Sequence, residues 1–218
     1  MDPVSVANLA LGWLGSPPVI AIDGSDESAA GQLLFQQFER LRDSVTEDRD
    51  WTFATARLQL AADKDAPAFG YTSRFLVPGH VLRVITCALA SPVGSIDAFA
   101  ASMIGASSAD VAQVDWVKEG PYILAGSAAA GQGGLPIPAV NVKAIVKAPD
   151  PGIWSPCFEQ ALAARIAADL CIAITENRGL QADLWKLYQE KLRAAASNDG
   201  RQGRSQRRTS NTLALRRR

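Results

Sequence analysis

The stretch that decides the fold is Trp154 to Ala196, WSPCFEQALAARIAADLCIAITENRGLQADLWKLYQEKLRAAA, which reads as two helices joined by a tight turn. Ser155 offers an N-cap hydroxyl and Pro156 a backbone pre-set for a first helical turn. Phe158, Leu162, Ile166 and Leu170 recur every fourth residue, so they share one helical face. Alanines 161, 163, 164, 167, 168 and 173 surround them and allow close approach of another helix. Asn177-Arg178-Gly179 is expected to stop the first helix, with glycine in the left-handed conformation. Leu180, Leu184, Leu187, Tyr188 and Leu192 form a second stripe, with Gln181, Lys186, Glu190 and Arg193 on the wetter side. Two such stripes cannot bury each other, so partners must come from elsewhere in the chain or from another copy.

Upstream, Val4 to Leu14 reads as a short helix with Val6, Leu9, Ala10 and Trp13 inward, ended by Gly15 and Pro17-Pro18. Ser25 is placed to cap the next helix, with Asp26 and Glu27 in its first turn, where the dipole favours negative charge. Its apolar stripe is Ala30, Leu34, Phe38, Leu41 and Val45. Trp51 and Phe53 are core anchors expected to open a helix towards Leu60. Asp63 to Phe69 is loop, and Tyr71, Phe75 and Val77 alternate with polar neighbours up to a turn at Pro78-Gly79. Between Leu82 and Val146 the helical period is lost: Val81–Ile85, Val111–Val117, Tyr122–Leu124 and Val140–Val146 resemble strands, and Ser127 to Gly134 a flexible loop.

These readings predict a mainly α protein: a helical bundle with a small β-rich insertion and a flexible basic C-terminal arm. The divisions are 1–81, an N-terminal helical part; 82–150, the insertion; 151–197, a helical hairpin completing the bundle; and 198–218, the arm.

With 218 residues and 48% hydrophobic content, the chain suits one globular domain carrying an insertion. No run reaches the roughly 20 apolar residues of a membrane span, and the N-terminus lacks the pattern of a secretory signal, pointing to synthesis in the cytoplasm. Cys87, Cys157 and Cys171 are odd in number and widely spaced, and His80 stands alone, so no zinc ligand set emerges. No cofactor is expected. Gly131-Gln132-Gly133-Gly134 precedes Leu135-Pro136 rather than a helix, which argues against a phosphate loop.

Net charge is zero, yet residues 193–218 carry +7 and residues 1–192 carry −7. Asn198 to Arg218 is rich in Gly, Ser, Gln and Arg and is expected to order only on binding. Arg201, Arg204, Arg207, Arg208, Arg216, Arg217 and Arg218 suit carboxylate partners, with Leu213 and Leu215 as apolar anchors. The same arginines suit nucleic-acid phosphates, although no aromatics are interleaved for base stacking. Catalysis finds little support: His80 has no local orienting partner, and the carboxylate pairs Asp48/Asp50 and Asp115/Glu119 have solvation as their ordinary fate.

The order of motifs resembles a known family. Asn8-Leu9-Ala10-Leu11 ends in Leu14-Gly15, and a long helix leads into Arg49-Asp50-Trp51-Thr52-Phe53-Ala54. Next comes Tyr71 with Leu76-Val77-Pro78-Gly79-His80-Val81-Leu82-Arg83-Val84, and lastly the run from Trp154 to Leu170. This succession, over residues 4–197, is similar to the tail tubular protein A family, the head-to-tail adaptors of short-tailed bacteriophages. Gly79-His80 departs from the acidic residue that usually follows the proline there. The resemblance implies a virion protein made in the host cytoplasm and assembled as a dodecameric homo-oligomeric ring. That ring would lie between the portal protein and the distal tail protein, with DNA passing through its channel. The basic extension after Asp199 lies outside the family's common core, but some adaptors of this kind have C-terminal arms that dock into the portal. The arm's arginines from Arg201 to Arg218, with Leu213 and Leu215, are assigned to portal binding. Leu34, Phe38, Leu41, Trp51, Phe53, Phe158, Leu162, Ile166, Leu170, Leu184 and Tyr188 are assigned to core or subunit packing.

Overall fold

The computed structural model describes residues 2–90, 114–127 and 136–201. Four α-helices and two three-stranded antiparallel sheets are found among them, 46% of the described residues being helical and 23% strand. The fold is therefore α+β, which corrects the expectation of a mainly α bundle with a small insertion. The sheet content begins well before residue 82, because the stretch towards Leu60, read as helix, is a strand, and the alternating stretch from Tyr71, assigned to the helical part, is another.

Helix α1 (Pro3–Leu14) ends at Gly15, whose φ of 68° lets it fold back onto the carbonyls of Leu11 and Gly12. Its buried side is Val6, Ala7, Ala10, Leu11 and Leu14, whereas Leu9 faces outward, 39% exposed. The Asn8 side chain both accepts from the Val19 N–H and donates to the Val19 carbonyl, pinning the following loop to the helix. Helix α2 (Ala29–Glu47) starts at Ser28, not Ser25, with the Ser28 hydroxyl accepting from Gly31 N–H. Asp26 is drawn into the loop instead, accepting from the N–H groups of Ile20 and Ser28.

After α2 the chain turns through Trp51–Ala54 into β1 (Thr55–Ala61), where a helix was expected. The period explains it: Leu58 and Leu60 alternate with Arg57 and Gln59, a spacing of two that no helical face uses. Next are β2 (Tyr71–Leu76), β3 (Val81–Leu89), β4 (Trp116–Glu119), β5 (Tyr122–Ser127) and β6 (Ala139–Val146). One sheet has the order β1-β6-β3 and the other β2-β5-β4. The expected strand from Val111 falls partly, and the Ser127–Gly134 loop with its glycine cluster almost wholly, outside the described residues.

Helix α3 (Pro156–Thr175) is capped by the Ser155 hydroxyl, which accepts from Phe158 N–H. It stops at Glu176, a non-glycine residue at φ 55°, while Asn177 caps α4 (Arg178–Gly200) through Leu180 N–H. Gly179 therefore lies inside α4 and does not end α3, as the sequence had suggested. Nearly the whole girth of α3 is buried, from Phe158 to Cys171, against α1, α2, α4 and the rings of Trp51, Phe53 and Trp154. At roughly 1.5–3 kcal/mol per large apolar side chain removed from water, this helix is the organising element of the core. The chain supplies the covering helices itself, so of the two sources of partners expected for the stripes it is the rest of the chain that packs on them.

A second cluster lies between the sheets and includes Phe75, Ile123, Val140, Val142 and Ala144. Strand β6 serves both cores: Val140, Val142 and Ala144 belong to the cluster between the sheets, and Ile145 to the helical one.

Candidate functional site at the root of the basic arm

The elements that meet where the arm leaves the body are the α2–β1 turn, the start of β3 and the last turn of α4. They enclose an open groove of about 510 Å³ lined by Asp48, Asp50, Thr52, Arg83, Asp199 and their neighbours. Four of its five charged side chains, Asp48, Asp50, Arg83 and Asp199, have partners. Arg83 pairs with Asp50 and donates from Nε to the Glu47 carbonyl at 3.1 Å. Tyr188 donates its hydroxyl to Asp48, and Arg165 lies 4.0 Å from the same carboxylate. Asp199 accepts from the Thr52 N–H at 2.8 Å and from the Thr52 hydroxyl at 2.7 Å.

Behind the groove, Arg165 ties α3 to α4. Its guanidinium carbon sits 4.7 Å above the Trp185 ring and 5.4 Å from that of Tyr188, and its Nε donates to Asp169 at 2.7 Å. Burial alone would ease the proton off Arg165, but the Asp169 carboxylate outweighs it and the guanidinium is held more firmly charged than usual. Burial, reinforced by the Asp48 carboxylate, pushes the Tyr188 phenol well above its ordinary value. The arrangement is suited to holding elements together; a proton-transfer pair would require two groups competing for one proton.

The residues assigned to packing sit as follows. Leu34, Phe38, Leu41, Trp51, Phe158, Leu162, Ile166, Leu170, Leu184 and Tyr188 are buried, and Phe53 is half-buried among the rings of Trp51 and Phe158. Of the portal-contact assignments, Arg201 is exposed at the end of α4; Arg204, Arg207, Arg208, Leu213, Leu215, Arg216, Arg217 and Arg218 lie outside the described residues. His80 is exposed on the turn before β3, with its carbonyl accepting from Lys147 N–H at 2.8 Å. Asp48 and Asp50 are each engaged by a different partner and do not form a pair. Among the described residues no three His, Cys, Asp or Glu side chains converge as metal ligands, and no helix is long and apolar enough to cross a membrane. Burial raises the Cys87 thiol to about 11, which keeps it an inert thiol at neutral pH.

A second concavity, of about 300 Å³, lies on the other sheet beside Phe69, Tyr71 and Tyr122. Arg74 lies 4.9 Å from the Tyr122 ring centre and pairs with Asp63 and Asp65.

The sequence reading missed the Thr52–Asp199 and Arg165–Asp48 contacts, because they join residues far apart in the chain. One signal was present: Asp199 is the lone acid in an otherwise arginine-bearing segment. No protein-family model matches the chain, and a search of curated proteins finds no significant match.

Proposed function

We propose that this chain is a virion structural protein, the head-to-tail adaptor of a short-tailed bacteriophage. In this reading copies assemble as a dodecameric ring between the portal protein and the distal tail protein, and DNA passes through without specific binding. The observation that carries it is the polarised build: an acidic body whose 23-residue α4 ends, buried to its last turn, at the start of an arginine-bearing arm. Such an arm adds a docking element without disturbing the core, and its arginines favour bidentate pairing with carboxylates. The succession of motifs shared with the tail tubular protein A family supports the same reading. Self-association draws support from outward apolar side chains such as Ile20, 85% exposed, and Phe35, 52% exposed, now that α3 is seen to be covered within one chain.

The test removes residues 202–218, beyond the helix, and measures co-sedimentation with the portal ring of the same phage. The truncated protein is expected to keep its helical circular dichroism and lose at least about tenfold in portal affinity, the loss of a few charged pairs. Undiminished attachment would refute the reading. Binding to DNA that falls steeply with rising salt, without portal binding, would favour a nucleic-acid-binding role for the arm instead.

A further inference from the structure

Asp199 is only 6% exposed and lies in the final turn of α4. The helix dipole disfavours negative charge at that end, and burying a carboxylate is unfavourable unless hydrogen bonds offset the lost water. Neither the helix nor the basic segment around it accounts for the residue; its partner 147 positions earlier does. Its two oxygens receive the N–H and the hydroxyl of Thr52, both charge-assisted bonds, on the turn that feeds β1. The far side of this contact is firmly held. Trp51, next to Thr52, is fully buried and donates its indole N–H to the Val45 carbonyl at 2.9 Å. On the near side, Leu192 and Ala195 are buried, and Asn198 Nδ2 donates to Cys157 Sγ at 3.2 Å.

We infer that Asp199 is a positioning residue: it clamps the end of α4 to the α2–β1 turn and so fixes the point from which the basic arm departs. The clamp is defined by these contacts whatever the arm binds, so it stands or falls separately from the adaptor reading. Without it, the last turn keeps only the weak Asn198–Cys157 contact besides helix propensity, and helix ends with so little support fray readily. Fraying back to Leu192 would add slack of up to about 3.3–3.6 Å per residue to the tether, and slack lowers the effective concentration of a tethered group at its target.

The sign of one substitution separates a clamp from an ordinary helix residue. In a helix end without a clamp, Asp199→Ala would relieve the dipole and insert the best helix former, slowing amide exchange there. A clamp demands the opposite. In the full chain, Asp199→Ala is expected to speed hydrogen exchange about tenfold at residues 195–200 and, reciprocally, at 52–55, the scale of two lost charge-assisted hydrogen bonds partly offset by the relieved dipole and the helix propensity of alanine. A tryptic cut after Arg193 should appear, while the melting transition remains cooperative. Asp199→Asn, which keeps one acceptor, should fall between. Thr52→Val keeps the shape and the N–H but removes the hydroxyl, and should speed exchange at residues 195–200 by a few-fold, the scale of a weaker bond. Unchanged or slower exchange at 195–200 in Asp199→Ala overturns the inference. If that variant fails to fold, unchanged exchange there in Thr52→Val overturns it equally.

Discussion

The helical core and the core between the sheets are built on different scales. Among the described residues, the first gathers 28 buried residues around α3, and the second ten, drawn mostly from the sheets. In the helical core a single element is covered on nearly all sides, so its alanines matter as much as its large side chains: they set how near α1 and α4 approach. In the smaller core, the fully buried Phe75 and Ile123 fill the space between short strands. The difference implies that global stability resides with α3, while the β2-β5-β4 sheet is the part that opens first.

Placing a charge in the larger core should have the greatest effect. Leu162→Asp buries a carboxylate where exposure is 0% and is expected to cost about 5 kcal/mol or more, beyond the stability margin of many domains. Loss of the helical circular dichroism signal would record it, and a stable, cooperative variant would contradict the assignment of α3 as organiser. Phe75→Ala, also at 0% exposure, should lower stability by about 3–5 kcal/mol. Hydrogen exchange should then quicken across β2, β4 and β5 while α3 stays protected. Equal quickening in α3 would erase the contrast between the two cores.

A smaller change probes the seam between α4 and the α2–β1 turn. Tyr188→Phe removes the hydroxyl bonded to Asp48 and should lower stability by roughly 1–2 kcal/mol, since the half-exposed carboxylate recovers water. Burial, and then Asp48, hold the phenol protonated above its ordinary 10.0. The folded value is the higher one, so this contribution is fully present below pH 10 and declines as pH rises through the folded value. Urea titrations above pH 10 should show that decline in the parent and a shallower one in Tyr188→Phe.

Much of the helical half is legible in the sequence because its signals are local. Ser155-Pro156 and the four-residue recurrence from Phe158 to Leu170 each fix structure within one or two turns. The local signal misleads where two choices are equally good. Ser25 and Ser28 can both cap a helix, and Asp26 settles the matter by serving the backbone of Ile20 and Ser28. Glu176 takes the left-handed position that Gly179 seemed better fitted for, because the Asn177 cap needs α4 to begin at Arg178. The sheets were under-read for a different reason. Strand β1 pairs with β6 across the 77 residues between them, in an unbroken register from Thr55–Ile145 to Ala61–Ala139, and pairing at that distance leaves no periodic trace beyond Leu58 and Leu60. The Asp199–Thr52 contact was hidden in the same way, since a side chain's distant partner is set by the fold and not by its neighbours.

Strand β6 makes the chain intolerant of one kind of genetic change. Its even-numbered side chains belong to one interior and Ile145 to the other, so a single-residue insertion or deletion within 140–145 would send each to the wrong address. Point substitutions there can be absorbed one at a time, but a length change strikes both interiors together. Natural variants of this protein should therefore differ in length at the turns beside this strand and keep the spacing from Val140 to Ile145 constant.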